Sequence, residues 1–288
     1  MPVGHRVTVN LHPPIGAVRD AVERALAEDL TPMGDLTASL VDPLSRVHAA
    51  IVARDKGVLA GSLCVDETCA QVDPDIRVAW ARHEGDALAP GDVVAHLDGL
   101  LASVLTAERT LLNFLCHLSG VATLTSKFVA AVAGTGVRIL DTRKTTPGLR
   151  ALEKAAVRAG GGHNHRGSLS EMVLVKDNHR AGLSIADAVK RASDVWPARA
   201  IEVECDSFAQ VAEAVEAGAR MVMLDNFAPE NVAEAVALVG GRALVEVSGR
   251  VNLETIRRYA DGRPDVISVG ALTHSAPVFD FGLDLETQ

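Results

Sequence analysis

Apolar residues recur at two spacings along this chain, and the changes of spacing divide it. Over residues 15–30, Val18, Ala21, Val22, Ala25 and Leu26 fall at helical intervals and predict an amphipathic helix. A turn around Gly34 and Asp35 follows. Between residues 47 and 97 the pattern shortens to strand-like runs punctuated by Gly57, Gly61, Gly85, Gly91 and Gly99, which predicts a small strand-rich domain. Helical spacing returns over 103–132, through Leu111, Leu115, Leu118, Val121, Leu124 and Phe128, with a break expected at Gly120. The shift in composition around 100–109 sets an expected boundary between domains of residues 1–108 and 109–274.

From residue 137 onward, strand and helix patterns alternate, which predicts a parallel sheet with helical crossovers. The predicted strands are 137–142, 172–175, 200–205, 220–224, 243–247 and 266–269. Between them, Ser184 is expected to cap one helix, Ser207 with Gln210 to form a capping box, Pro229 to open a third helix and Asn252 to cap a fourth. No dinucleotide glycine fingerprint follows the first of these strands, so a barrel fits better than an open nucleotide-binding sheet. The pattern yields six strands, short of eight. The expected class is therefore α/β, a small domain followed by an irregular, incomplete α/β barrel.

Charge sharpens this picture. The chain of 288 residues carries a formal net charge of −9, which argues against nucleic acid or an anionic membrane as partner. Within it, residues 141–167 concentrate Arg143, Lys144, Arg150, Lys154, Arg158, Arg166, His163 and His165. A cationic cluster in an acidic protein points to a local anion site. Thr146 and Pro147 are expected to start the helix inside this span, and Gly160, Gly161 and Gly162 to end it. Cys64, Cys69, Cys116 and Cys205 lack zinc-ligand spacing and read as buried thiols of a reducing compartment. The N-terminal stretch has no apolar run suited to a signal peptide, and residues 110–126 are too short and polar for a membrane span. A soluble, cytoplasmic protein is the expectation.

In α/β barrels the working residues sit at the carboxyl ends of the strands. Here those ends carry, in order, Thr142-Arg143-Lys144, Lys176-Asp177-Asn178-His179, Glu204, Asp225-Asn226, Ser248-Gly249-Arg250, and Gly270-Ala271 with His274 just beyond. Arginine forks match carboxylates in two-point contacts, and lysines serve phosphates as compact charges. Glu204 and Asp225 can accept from sugar hydroxyls or hold Mg²⁺ through water. Backbone N–H groups at Ser248, Gly249 and Gly270 can meet a terminal phosphate. A polyanionic, phosphorylated, sugar-containing ligand would answer all three needs; a rim of surface salt bridges is the plainer alternative.

The segments DTRKTTPGLRALEKAAVRAGGGHNHR, VKDNH, EVECDS, LDNF, EVSG and ISVGALTHS, in this order, resemble the quinolinate phosphoribosyltransferase family, with GDLTAS, TAERT and the FGLDL tail extending the likeness. The resemblance implies a small α/β sandwich domain, rejoined by the chain end (275–288), and an irregular seven-stranded barrel. It implies conversion of quinolinate and 5-phosphoribosyl-1-pyrophosphate to nicotinate mononucleotide, pyrophosphate and CO₂, with Mg²⁺, in NAD biosynthesis. Carried onto this sequence, Arg143, His165 and Arg166 would grip the two carboxylates, with Thr142 beside them. Lys144 and Lys176 would serve the boundary between the two substrates. Glu204 and Asp225 would take the ribose hydroxyls, directly or through the metal. Ser248, Gly249, Gly270 and Ala271, with His274 nearby, would hold the 5-phosphate. Arg109, on base rates a surface arginine, would enter the neighbouring subunit's site in a homodimer that can assemble further. Ala155 stands where the family commonly has an aromatic residue, DGRPDV replaces a more usual turn, and Arg250 stands for a Gly or Asn. Arg250 either adds a cation at the phosphate or turns outward. The competing readings are a nicotinate phosphoribosyltransferase without decarboxylation, a Schiff-base lyase using Lys176 or Lys144, and a non-catalytic anion-binding relative.

Overall fold

The computed structural model describes residues 10–180 and 182–286; most of the N-terminal stretch scanned for a leader lies outside them. In chain order the elements are α1 (Ile15–Leu30), β1 (Arg46–Ala53), β2 (Gly57–Val58), α2 (Ser62–Val72), β3 (Arg77–Trp80), β4 (Ala87–Leu88), β5 (Val93–Leu100) and α3 (Leu101–Ala131). Then come β6 (Arg138–Leu140), α4 (Arg150–Ala159), β7 (Val173–Val175), α5 (Asp177–Arg180), α6 (Ile185–Val195), β8 (Ile201–Cys205) and α7 (Phe208–Glu216). The chain continues through β9 (Met221–Asp225), α8 (Pro229–Val239), β10 (Leu244–Ser248), α9 (Ile256–Asp261), β11 (Val266–Ser268), α10 (Ala271–His274) and β12 (Phe281–Glu286).

Two compact units share these elements. One takes the chain up to Leu124, Thr146–Gly161 and the segment from Ser275; the other takes Thr125–Thr145 and Gly162–His274. The boundary expected at residues 108 and 109 lies inside α3, and α4 belongs to the first unit, so the division is not one cut in sequence.

The first unit is built on an antiparallel sheet ordered β12-β1-β5-β3. Ala49, Ile51 and Ala53 of β1, Val94 and Leu97 of β5, and Leu111 and Leu115 of α3 share its core with Phe279 and Phe281. Helix α3 is long and apolar enough to cross a membrane by length and composition alone, but 56% of its most apolar window is buried, as in a core helix. Gly120 does not break it. A Cβ there would sit 2.2 Å from the carbonyl oxygen of Pro277, so glycine lets the segment leading to β12 lie directly on the helix.

The second unit is a six-stranded parallel sheet ordered β6-β11-β10-β9-β8-β7. All six predicted strands are present. Among the described residues β6 and β7 are not paired, so the barrel is incomplete. A seventh position is marked only by a parallel bridge between Leu140 and His163. Alternation along the strands is strict. Val203, Val222, Leu224, Val247 and Ile267 are fully buried on one face, while Glu204, Met223, Asp225, Glu246, Ser248 and Ser268 line a cavity on the other.

Several local expectations need correction. The Ser184 hydroxyl accepts from the Asp187 N–H at 3.0 Å as predicted, and Pro229 opens α8. Ser207 makes no side-chain cap; Gln210 instead accepts from the Asp206 N–H at 3.0 Å. Asn252 caps a turn ahead of α9, accepting from the N–H groups of Glu254 and Thr255. Thr146 and Pro147 do not start α4. Thr146 to Leu149 form a turn closed by the Leu149 N–H on the Thr146 carbonyl at 3.0 Å, with Gly148 at φ +83°. That is the type II pattern, with Pro and Gly at the two central positions. Arg150, Lys154 and Arg158 recur at four-residue spacing, which predicts a solvated or subunit-facing side of α4. Solvation does not hold for Lys154, which is buried, while Arg158 donates to the carbonyls of Asn10 and His12.

Candidate active site

The strand ends of the second unit enclose a cavity of about 460 Å³. Its cationic wall is Arg143, Lys144, His165, Arg166, Lys176 and Arg250; Glu204 and Asp225 face it with Thr142, Asn226, Ser248 and Gly249. Twelve of the residues named from sequence therefore converge: Thr142, Arg143, Lys144, His165, Arg166, Lys176, Glu204, Asp225, Asn226, Ser248, Gly249 and Arg250. Gly270 lies just outside this lining. A Cβ on it would meet His274 Nε2 at 3.1 Å and Lys144 Cδ at 3.2 Å, so its bareness lets these two side chains crowd the end of β11. Ala271 begins the single turn of α10. Arg109 is on α3 in the first unit, where it lines a different cavity with Glu28, Asp29, Asn113 and His117.

Backbone geometry explains several placements. Asn226, Gly249 and Arg250 all have positive φ, at 56°, 104° and 49°. A Cβ on Gly249 would lie 2.4 Å from Asn226 Oδ1, so the turns after β9 and β10 interlock only because that residue is glycine. Arg250, left open by the sequence, borders the cavity at its exposed edge. Thr273, absent from the sequence-based set, donates its hydroxyl to the Lys144 carbonyl at 2.8 Å and fixes that turn.

The segment carrying His165 and Arg166 is held by a residue that sequence reasoning passed over. Asp141, fully buried, accepts from the His165 N–H at 2.9 Å and from the Asn164 amide at 2.5 Å. Arg166 donates to the Met172 carbonyl at 3.0 Å. Burial, followed by the neighbouring Arg143 charge, lowers the Arg166 pKa. Like charges kept this close favour an anion between them.

Two ion-pair groups of different character complete the site. At the rim, Lys176 Nζ pairs with Glu204 Oε2, with the lysine side chain 40% exposed. At the floor, His165 Nε2 lies 3.1 Å from Glu202 Oε2 and 3.2 Å from Glu246 Oε2, and both glutamates are fully buried. The polar atoms of the three groups lie within 4.8 Å of one another. Burial alone would discharge this imidazole, but the hydrogen bonds and charges of Glu202 and Glu246 prevail and raise its pKa to about 10. Glu202 is pushed up to about 7 by burial and by Glu246, against the pull of His165. Neither glutamate was singled out from sequence. Strand alternation carried the signal: Glu202 shares a face with Glu204, and Glu246 with Ser248. His165 was expected to grip substrate, yet its Nε2 is turned to these carboxylates. The cysteines are thiols, and burial raises Cys64, Cys69 and Cys205 to about 12.

An incomplete parallel barrel with a cation-lined cavity opposite two carboxylates defines a class: α/β-barrel proteins that handle phosphorylated and carboxylated small anions. Residues 121–284 match the C-terminal domain and 35–119 the N-terminal domain of quinolinate phosphoribosyl transferase, and the chain belongs to that family. It is 42% identical over 277 residues to the carboxylating nicotinate-nucleotide pyrophosphorylase of Mycobacterium leprae, covering 93% of this chain and 97% of that one. It is 39% identical over 254 residues to the probable enzyme of that name from Bacillus subtilis, covering 88% of each. The solved nicotinate-nucleotide pyrophosphorylase of Francisella tularensis superposes with a TM-score of 0.92 at 37% identity, over 96% of this chain and 98% of that one. Human nicotinic acid phosphoribosyltransferase, at 15% identity and a TM-score of 0.55, shares the fold alone.

Proposed function

We propose that the chain is a decarboxylating quinolinate phosphoribosyltransferase, forming nicotinate mononucleotide, pyrophosphate and CO₂ from quinolinate and 5-phosphoribosyl-1-pyrophosphate in NAD biosynthesis. The observation that carries this reading is the cationic wall of one cavity facing Glu204 and Asp225. Arg143 and Arg166 suit the two carboxylates of quinolinate, since a guanidinium fork matches a carboxylate. Lys144 and Lys176 stand where acid and sugar would meet. Ser248 and Gly249 with Arg250, and Gly270, Ala271 and His274 beyond them, suit the 5-phosphate.

The catalysis is mainly electrostatic. Holding the pyridine nitrogen in line with the ribose C1 carbon removes much of the entropic cost of a two-substrate encounter. The fixed cations favour the charge that gathers on the departing pyrophosphate. Glu204 and Asp225, on neighbouring strands at the cavity wall, are a hard oxygen donor pair suited to Mg²⁺. When bound, that ion supplies further positive charge against the diphosphate. In our reading the chain works as a cytoplasmic homodimer in which Arg109 completes the neighbouring subunit's site, with neither nucleic acid nor membrane as partner.

The test is an assay of quinolinate with phosphoribosyl pyrophosphate and Mg²⁺ that follows CO₂ and mononucleotide together. Equal release of both supports the reading. Turnover of nicotinate without CO₂ would favour the non-decarboxylating alternative, borohydride-trapped adducts the lyase, and no product at all an anion-binding relative.

A further inference from the structure

The floor of the cavity contains charges that binding a dicarboxylic acid does not require. Glu202 and Glu246 would repel such a ligand, and they are costly in themselves. Glu202 Oε1 and Glu246 Oε1 are buried without a hydrogen-bond donor, and Glu246 Oε2 meets only the His165 ring. The cation they enclose is the protonated ring of His165, seated on them through Nε2. This is an expensive way to make one more anion contact, because Arg143 and Arg166 already stand at that wall. It is an effective way to keep a dissociable proton loaded in a place where a bare imidazole would lose it.

The reaction needs such a proton. When the carboxylate next to the alkylated ring nitrogen leaves as CO₂, the electron pair of the broken bond stays on that ring carbon, C2, and a proton must arrive there. Arg143 and Arg166 cannot supply it, since guanidinium does not release its protons in proteins. Lys144 is exposed and Lys176 is 40% exposed in its pair with Glu204, so both hold their charge at the solvent-facing rim and not over the floor. We propose that His165 is the acid that protonates C2 after CO₂ departs, with Glu246 a positioning residue that keeps its ring charged and turned. This rests on the function proposed above. The step balances: the C2–carboxylate bond breaks, CO₂ leaves, and a proton passes from the imidazolium nitrogen not facing the glutamates to C2. The ring becomes neutral and is recharged from solvent once the product has gone. Around His165 the titratable and charged groups are Glu202 from β8, Glu246 from β10, Asp141, Arg143 and Lys144 after β6, Arg166 beside it, and Lys176 after β7.

The experiment compares single turnovers of the full-length enzyme and its H165N and E246Q variants, quenched and analysed for dicarboxylated mononucleotide, nicotinate mononucleotide and CO₂. For H165N we expect the dicarboxylated mononucleotide to accumulate, with CO₂ release slowed on the order of 100-fold relative to coupling. Product made in mixed H₂O and D₂O should carry a different deuterium content at C2 in H165N than in wild type, because the donor has changed. For E246Q the ratio of CO₂ to coupled product should fail at least about one pH unit earlier on the alkaline side, a displacement that a merely structural role would not produce. An unchanged ratio and unchanged deuterium content in H165N, or an unmoved alkaline limb in E246Q, would overturn the inference while leaving the proposed function standing. Wild-type enzyme that yields neither CO₂ nor mononucleotide would overturn both.

Discussion

The floor and the rim of the cavity both pair a cation with a carboxylate, and they differ in solvent. At the floor His165 is 8% exposed in its side chain and its two partners are fully buried; at the rim Lys176 is 40% exposed and Glu204 15%. An exposed pair gains little beyond what water offers each member, and salt weakens it further. A buried pair lacks that fallback, so its charge state depends on its partners. The same chemistry thus makes a yielding contact where substrates must come and go, and a committed one beneath them.

The comparison breaks most visibly at His165. Replacing it by Ala leaves two buried carboxylates without their cation, and a loss of about 3–5 kcal/mol in denaturant unfolding at neutral pH is expected. The loss should shrink on acidification, as the carboxylates gain protons. In the wild-type protein the pH dependence has the same direction but comes from the imidazolium. The raised His165 pKa contributes stability that is fully present below the unfolded value near 6.5 and fades as pH rises through about 10. Unfolding curves across that window should show the fade in wild type and not in H165A.

A smaller effect is expected where guanidinium meets ligand. Arg166→Ala or Arg143→Ala should weaken quinolinate binding about 10- to 100-fold, the range for a charge-assisted contact. Phosphoribosyl pyrophosphate binding, titrated separately by calorimetry, should change far less. Equal losses for both ligands would reassign these arginines. The smallest effect belongs to the rim. Lys176→Met should change stability by less than about 1 kcal/mol while activity collapses, and thermal melts beside turnover assays will separate the two.

Much of this was legible in the chain. Six parallel strands were readable because buried strands are short apolar runs ending in polar turns. The cationic wall was readable because Arg143, Lys144 and Lys176 sit at those ends, while His165 and Arg166 stood out in the cationic span after the glycine run and through the family resemblance. What escaped was what tertiary contact decides. Gly120 reads as a helix break until Pro277 is seen lying on it. Pro147 reads as a helix start, though with Gly148 it makes a turn. Lys154 reads as solvated or subunit-facing, since nothing local announces that most of α4 is buried within the chain itself. Glu202 and Glu246 were hidden by the habit of seeking function at strand ends; they sit one alternation deeper.

The strand that closes the first sheet is β12, whose Phe281 pairs with Ala53 across the whole intervening chain. On a ribosome, β1 emerges early and waits for its neighbour until every strand of the parallel sheet has already been made. The barrel therefore has the opportunity to fold while the antiparallel sheet still has an open edge. Removing the last ten residues would spare every cavity-lining side chain and yet leave that edge open for good, making the chain prone to pair with its own copies.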